Sequence, residues 1–213
     1  MQDNRKPIFK AGWVLGIFSL IGIGMVSLTY QLTHEKIAEN ERLFILKNIQ
    51  ELVPAKLYDN DLLKDTLNIS NLEAFGTDQA ITVYKAQRKG QLVAVIFSPI
   101  APDGYSGSIH LLVAINAKGE LMGVRAVSHH ETPGLGDAIE TSKSDWIYNF
   151  NGRSLQNPIS KFWQVKRDGG IFDQFTGATI TPRAVVKSVF KTLTYFQANR
   201  EKLATVQTKE THE

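Results

Sequence analysis

The segment Asp173-Gln174-Phe175-Thr176-Gly177-Ala178-Thr179-Ile180-Thr181-Pro182 carries the chemistry that stands out most in this sequence. Three hydroxyls, those of Thr176, Thr179 and Thr181, crowd just ahead of a stretch patterned as a helix. Over residues 182–199, Val186, Val189, Phe190, Leu193 and Phe196 fall on one face. Thr181 suits the N-cap, and Pro182 suits the first helical position, where no amide donor is needed. Unpaired amides and the positive dipole end gather at a helix N-terminus, so Thr179 lies where a phosphate would be stabilised. Gly177 and Ala178 are small enough to let a bulky ligand approach the backbone. These residues alone describe a plausible phosphate site and no more, a plain capped helix after a small-residue turn being the commoner meaning of such a pattern.

A second run, His129-His130-Glu131-Thr132-Pro133-Gly134-Leu135-Gly136, reads either as a loop of exposed amides around a ligand or as a turn with two glycines. On an extended strand, His129 and His130 point to opposite faces and cannot share one ion. No further cluster at ligand spacing accompanies them, so no metal is expected. Glu131 lacks an evident catalytic partner. Trp146, Trp163 and Phe175 could stack on a planar ligand, but such residues usually belong to a core. Phe175, beside the threonine motif, is the one candidate. The absence of cysteine excludes disulfides, thiolate-bound iron–sulfur clusters and thiol catalysis. A net charge of +3 would fit nucleic acid, but the cations are scattered among acids, as in Glu35-Lys36 and Glu41-Arg42. No basic stripe forms, and no nucleic-acid partner is expected.

The elements that must position these groups begin with an anchor. Residues 11–33 contain no charge, with Trp13 and Tyr30 near the ends. Roughly 20 apolar residues cross a ~30 Å hydrocarbon layer. A signal peptide's apolar region is shorter, about 7–15 residues. An uncleaved transmembrane helix is therefore expected. Arg5, Lys6 and Lys10 place residues 1–10 in the cytoplasm as a short tail and the rest of the chain outside it. Gly12-x-x-x-Gly16 marks a helix–helix contact or a chance spacing. Ile37, Ala38, Phe44, Ile45, Ile49 and Leu52 predict an amphipathic helix from 34 to 53, ended by Pro54. With the weakly patterned loops and short helices of 55–79, it forms a helical linker over residues 34–79.

The domain follows over residues 80–200. Strands at 80–84 and 92–97 flank a Lys89-Gly90 turn, and strands at 109–115 and 121–128 flank a turn at 116–119. A loop is predicted at 98–107, a helix at 137–150, a strand at 162–166 and the long helix at 182–199. Hairpins followed by interleaved helices define an α+β fold with a mainly antiparallel sheet. Residues 201–213 form a polar tail expected to fray from about Lys202.

Thr176-Gly177-Ala178-Thr179, with Asp173 three residues ahead, resembles the flavinylation motif of the FMN-binding domain family. The blocks Gly104-Tyr105-Ser106-Gly107 and Glu131–Gly136, with a strand pair between them, are similar to that family as well. The resemblance covers roughly residues 80–200. It implies that a flavin transferase esterifies Thr179 with FMN drawn from FAD. It also implies that Asp173, Thr176, Gly177, Ala178, Thr181 and the run Glu131, Thr132, Pro133, Gly134, Leu135 and Gly136 surround the cofactor. Thr176 and Thr181 are the rival ester sites.

Ala101–Gly107, His129–Asp137 and Phe175–Val186 are most similar to the G subunits of the Rnf/Rsx electron-transport complexes. That likeness implies an electron carrier in a bacterial inner-membrane, ion-translocating oxidoreductase, with the other membrane subunits as partners. A C subunit of a sodium-pumping NADH:quinone reductase shares the Gly-Ala-Thr core, but is typically longer. It is one alternative, and a cofactor-free extracytoplasmic binding module is another.

Overall fold

The computed structural model describes residues 5–205. The first four residues of the expected N-terminal tail and residues 206–213 of the expected C-terminal tail lie outside them. The chain divides into two compact units, residues 1–44 and 45–213.

The first unit belongs to α1, Arg5–Leu52, a single helix of 48 residues. Anchor and amphipathic linker are thus one element, because residues 25–53 contain no Gly or Pro to break it. Residues 12–44 are exposed throughout, including Phe18, Leu20, Ile23 and Val26. Among the described residues this is the one helix long and apolar enough to cross a membrane. Apolar side chains exposed all round are stable only in hydrocarbon.

The second unit is built on an antiparallel six-stranded sheet, of β1 Thr66–Ile69, β2 Ile81–Arg88, β3 Gln91–Phe97, β4 Ile100–Ala101, β5 Ile109–Asn116 and β6 Leu121–Ser128. The order is β1-β2-β3-β5-β6, with β4 extending the line of β3 beside the start of β5. The β2–β3 turn has positive φ at both Lys89 (51°) and Gly90 (74°). That is the type I′ geometry whose twist matches the strands.

Both sheet faces are covered, which explains why the strands read as near-continuous apolar runs. Val83, Val95, Phe97, Leu111 and Val113 meet α3, Ile180–Thr205, through Val185, Val186, Val189, Leu193 and Phe196. The alternate residues Tyr84, Ala86, Ala94, Ile96, Leu112 and Ala114 meet Ile49, Leu52 and Val53 at the end of α1. The short α2, Leu72–Phe75, is capped by Asn71, whose side chain accepts from the Ala74 amide.

Several elements differ from the sequence reading. Residues 137–150 form two 3₁₀ turns, Gly136–Ile139 and Trp146–Phe150, rather than one helix. Between them the Ser144 hydroxyl donates to Ala138 O (2.6 Å) and accepts from the Trp146 amide (3.2 Å). Such local bonds compete with a helical ladder. The strand expected at 162–166 is absent. Turns at Ser160–Phe162 and Lys166–Asp168 replace it, with Val165 and Phe172 forming a lone bridge. The chain doubles back so tightly there that a Cβ on Gly170 would lie 1.8 Å from Gln164 O. β1 and β4 arise in stretches read as loop. α3 runs to Thr205, past Lys202.

Candidate functional site

The threonine motif folds as a turn feeding α3. The Ala178 amide donates to Phe175 O at 3.2 Å, and Gly177, at the third position of that turn, has φ 82°. An L side chain is strained there, and Leu135 Cδ2 would also lie 3.2 Å from a Cβ. α3 begins at Ile180, so Thr179 takes the N-cap position and Pro182 the third helical one. The expected cap at Thr181 is corrected by what its hydroxyl does. Thr181 is 0% exposed and donates to Glu131 Oε2.

Glu131, 50 residues earlier in the chain, is itself only 4% exposed. Its other oxygen, Oε1, accepts from the Ser106 amide at 3.0 Å. The Glu131 amide donates to His129 Nδ1 (3.2 Å), and His129 Nε2 lies 3.1 Å from Glu140 Oε1. A ring nitrogen that accepts carries no proton, so the proton is assigned to Nε2 and faces Glu140. Glycine surrounds the carboxylate. A Cβ on Gly104 would lie 2.9 Å from Oε1, and one on Gly136 would lie 2.9 Å from Oε2 and from Thr181 Oγ1.

These segments enclose a cavity of about 270 Å³ lined by Tyr105, Glu131, Thr132, Leu135, Gly136, Gly177, Ala178, Thr179, Ile180 and Thr181. The two blocks singled out in the sequence therefore meet in one place. Asp173, Thr176, Pro133 and Gly134 do not line it. Asp173 instead pairs through its carboxylate with Lys166 (2.5 Å) and accepts on its carbonyl from the Trp146 indole (2.7 Å). Phe175 packs edge-on against Trp146, with centroids 5.0 Å apart, and joins the core with Trp163. No group of His, Cys, Asp or Glu among the described residues could hold a metal.

Two lining residues escaped the sequence reading as individual candidates. Tyr105 is 67% exposed and Ile180 is also exposed; with Leu135 they form an apolar rim. Tyr105 stood in a block already singled out, so a large exposed aromatic between two glycines was a usable signal. Ile180 carried none.

A phosphate-favouring helix end, a partly exposed hydroxyl beside it and a cavity with an apolar rim suit a flavin mononucleotide. Residues 104–194 match the FMN-binding domain family. The cavity is near the lower end of the usual ~300–1,000 Å³ for ligand pockets.

Residues 1–52 match the family described as RnfG N-terminal region. The chain is 48% identical over 200 residues to the G subunit of the ion-translocating oxidoreductase complex of Pseudomonas aeruginosa (strain UCBPP-PA14), covering 94% of each chain. It is 44% identical to the protein of the same name from Shewanella loihica (93% and 94% covered). For the Aliivibrio fischeri protein the identity is 41% (92% and 94% covered). The chain belongs to this family of G subunits.

Proposed function

We propose that this chain is the electron-carrier subunit of a membrane-bound, ion-translocating oxidoreductase complex and holds its FMN covalently through a phosphoester on Thr179. The observation that carries the attachment site is the division of labour among three hydroxyls. Thr181 spends its hydroxyl, fully buried, on Glu131. Thr176 lies outside the cavity, whereas Thr179 lines it and is partly exposed. In the maturation step the Thr179 oxygen bonds to the phosphorus of the FMN half of FAD. The pyrophosphate bond breaks, AMP leaves, and the threonine proton passes to base or solvent. A flavin transferase supplies that catalysis.

Bound flavin accepts one or two electrons, so it can join carriers that differ in electron number. The chain's own residues bind and orient it. The start of α3 would hold the phosphate, Gly136 and Gly177 would leave room for it against the backbone, and Tyr105, Leu135 and Ile180 would offer apolar surface to the ring. Esterification at the phosphate end leaves the ring unmodified and prevents loss of the cofactor outside the cytoplasm. The partners are the other membrane subunits. The N-terminus is cytoplasmic and the flavin domain extracytoplasmic, at the bacterial inner membrane.

The test is Thr179→Ala expressed with a flavin transferase. This variant keeps the Thr181–Glu131 bond and the apolar face of α3. It should fold, yet show no flavin fluorescence in a denaturing gel. Covalent flavin retained in the variant overturns the assignment.

A further inference from the structure

Glu131 has a role separate from touching a ligand. We propose that it is a positioning residue, whose buried carboxylate fastens the 104–107 loop and the start of α3 to the 131–136 loop and so shapes the flavin cavity before any flavin arrives. The cavity wall comes from three segments far apart in the chain, and each carboxylate oxygen serves a different one. Oε1 takes the Ser106 amide at 3.0 Å, and Oε2 takes the Thr181 hydroxyl. Gly104 and Gly136 press on the same two oxygens, at distances where no Cβ fits. The Glu131 backbone is held in turn by His129, which reaches Glu140. Removing the carboxylate strands the buried Thr181 hydroxyl and releases the Ser106 amide, which weakens both junctions at once.

Two donors converging from different segments call for two acceptors on one side chain, and a carboxylate provides them. Glutamine has the same shape. Its oxygen can keep the Ser106 bond, while its NH₂ can donate to Thr181, whose hydroxyl also accepts. Alanine supplies neither bond. The two substitutions therefore separate fastening from mere burial, and only the glutamine should rescue.

The flavin arm of the test rests on the proposed function; the structural arm does not. In the full chain carrying Thr179→Ala, so that flavin cannot contribute, hydrogen exchange at the Ser106 amide is measured by mass spectrometry. Glu131→Ala should speed it about tenfold or more, and Glu131→Gln by no more than about threefold. Equal exchange in Ala and Glu chains, or Gln behaving as Ala, overturns the proposal. Should the Ala variant not fold, Thr181→Val decides. It removes one arm, and should raise exchange at the Arg183 and Ala184 amides, the first donors of the α3 ladder, at least about threefold; no rise overturns the proposal. In chains with Thr179 intact, a flavin transferase should load Glu131→Gln about tenfold faster than Glu131→Ala. Equal loading of the two overturns the positioning role. No loading of the unmutated chain would instead indict Thr179 attachment, with the exchange result still standing.

Discussion

Gly136 and Gly134 sit two residues apart in one loop, and substituting each by alanine separates two kinds of glycine requirement. Gly136 needs space. A Cβ there would lie 2.9 Å from Glu131 Cβ, Glu131 Oε2 and Thr181 Oγ1, all in buried side chains bonded to each other. Ordinary carbon contacts begin near 3.5 Å, so this buried pair must give by about half an ångström. Overpacking of that kind costs about 1–3 kcal/mol. For a domain of this size each kcal/mol lowers Tm by about 2–4 °C, giving a fall of roughly 2–12 °C. Gly134 needs only its backbone angle. It has φ 76° and nothing within 4 Å of a Cβ, so alanine costs about 1–2 kcal/mol from the left-handed conformation alone. The two variants thus overlap in stability but diverge at the site. Thermal unfolding of the full chain in detergent, followed by tryptophan fluorescence, should show both losses. Loading by a flavin transferase should fall in Gly136→Ala, which displaces the Glu131–Thr181 pair, and persist in Gly134→Ala. A Gly136→Ala chain with unchanged Tm, or one that loads as the unmutated chain does, would refute the reasoning.

Phe196 is 1% exposed and meets Phe97 edge-on across the sheet–helix core, at 6.4 Å and 86°. Phe196→Ala should cost about 3–5 kcal/mol, read as a lowered denaturant midpoint; a loss below about 1 kcal/mol would contradict the packing described. The Arg183 guanidinium, hydrogen-bonded twice to Asp168 (2.7 and 2.6 Å), holds that carboxyl below its ordinary 3.8, chiefly through those bonds and then through charge. A depressed folded value means that the pair stabilises the fold above the unfolded value and stops doing so as pH falls through the folded one. The Tm advantage of the unmutated chain over Asp168→Asn should therefore be present at pH 6 and shrink below about pH 4, a small effect because the pair is exposed. An advantage that grows in acid would contradict it.

What could be read from the sequence was local. The hairpins were legible because apolar alternation and the Lys89-Gly90 turn are encoded within a few residues. The same holds for α3, with its one-sided Val186, Val189, Leu193 and Phe196. The fold class followed from these. The irregular stretch from 137 to 172 was not legible, since its conformation rests on Ser144 bridging to backbone and on the approach of Gly170 to Gln164. Neither leaves a periodic trace. Both halves of the candidate site were visible as motifs, but their junction was not. Thr181 read as a cap because Ser and Thr before a helix usually are, and a carboxylate 50 residues away took its hydroxyl instead. Asp173 was placed at the cofactor by resemblance; its neighbours turn it toward Lys166 and Trp146.

The central claim is a bond between Thr179 and flavin phosphate, and peptide mapping of the protein purified from cells that flavinylate it addresses that bond directly. One flavin-bearing peptide spanning 173–183 is expected, with fragmentation that places the mass of a phosphoester-linked FMN on Thr179 and leaves Thr176 and Thr181 unmodified. Flavin on Thr176, on Thr181 or on any residue outside this segment would contradict it.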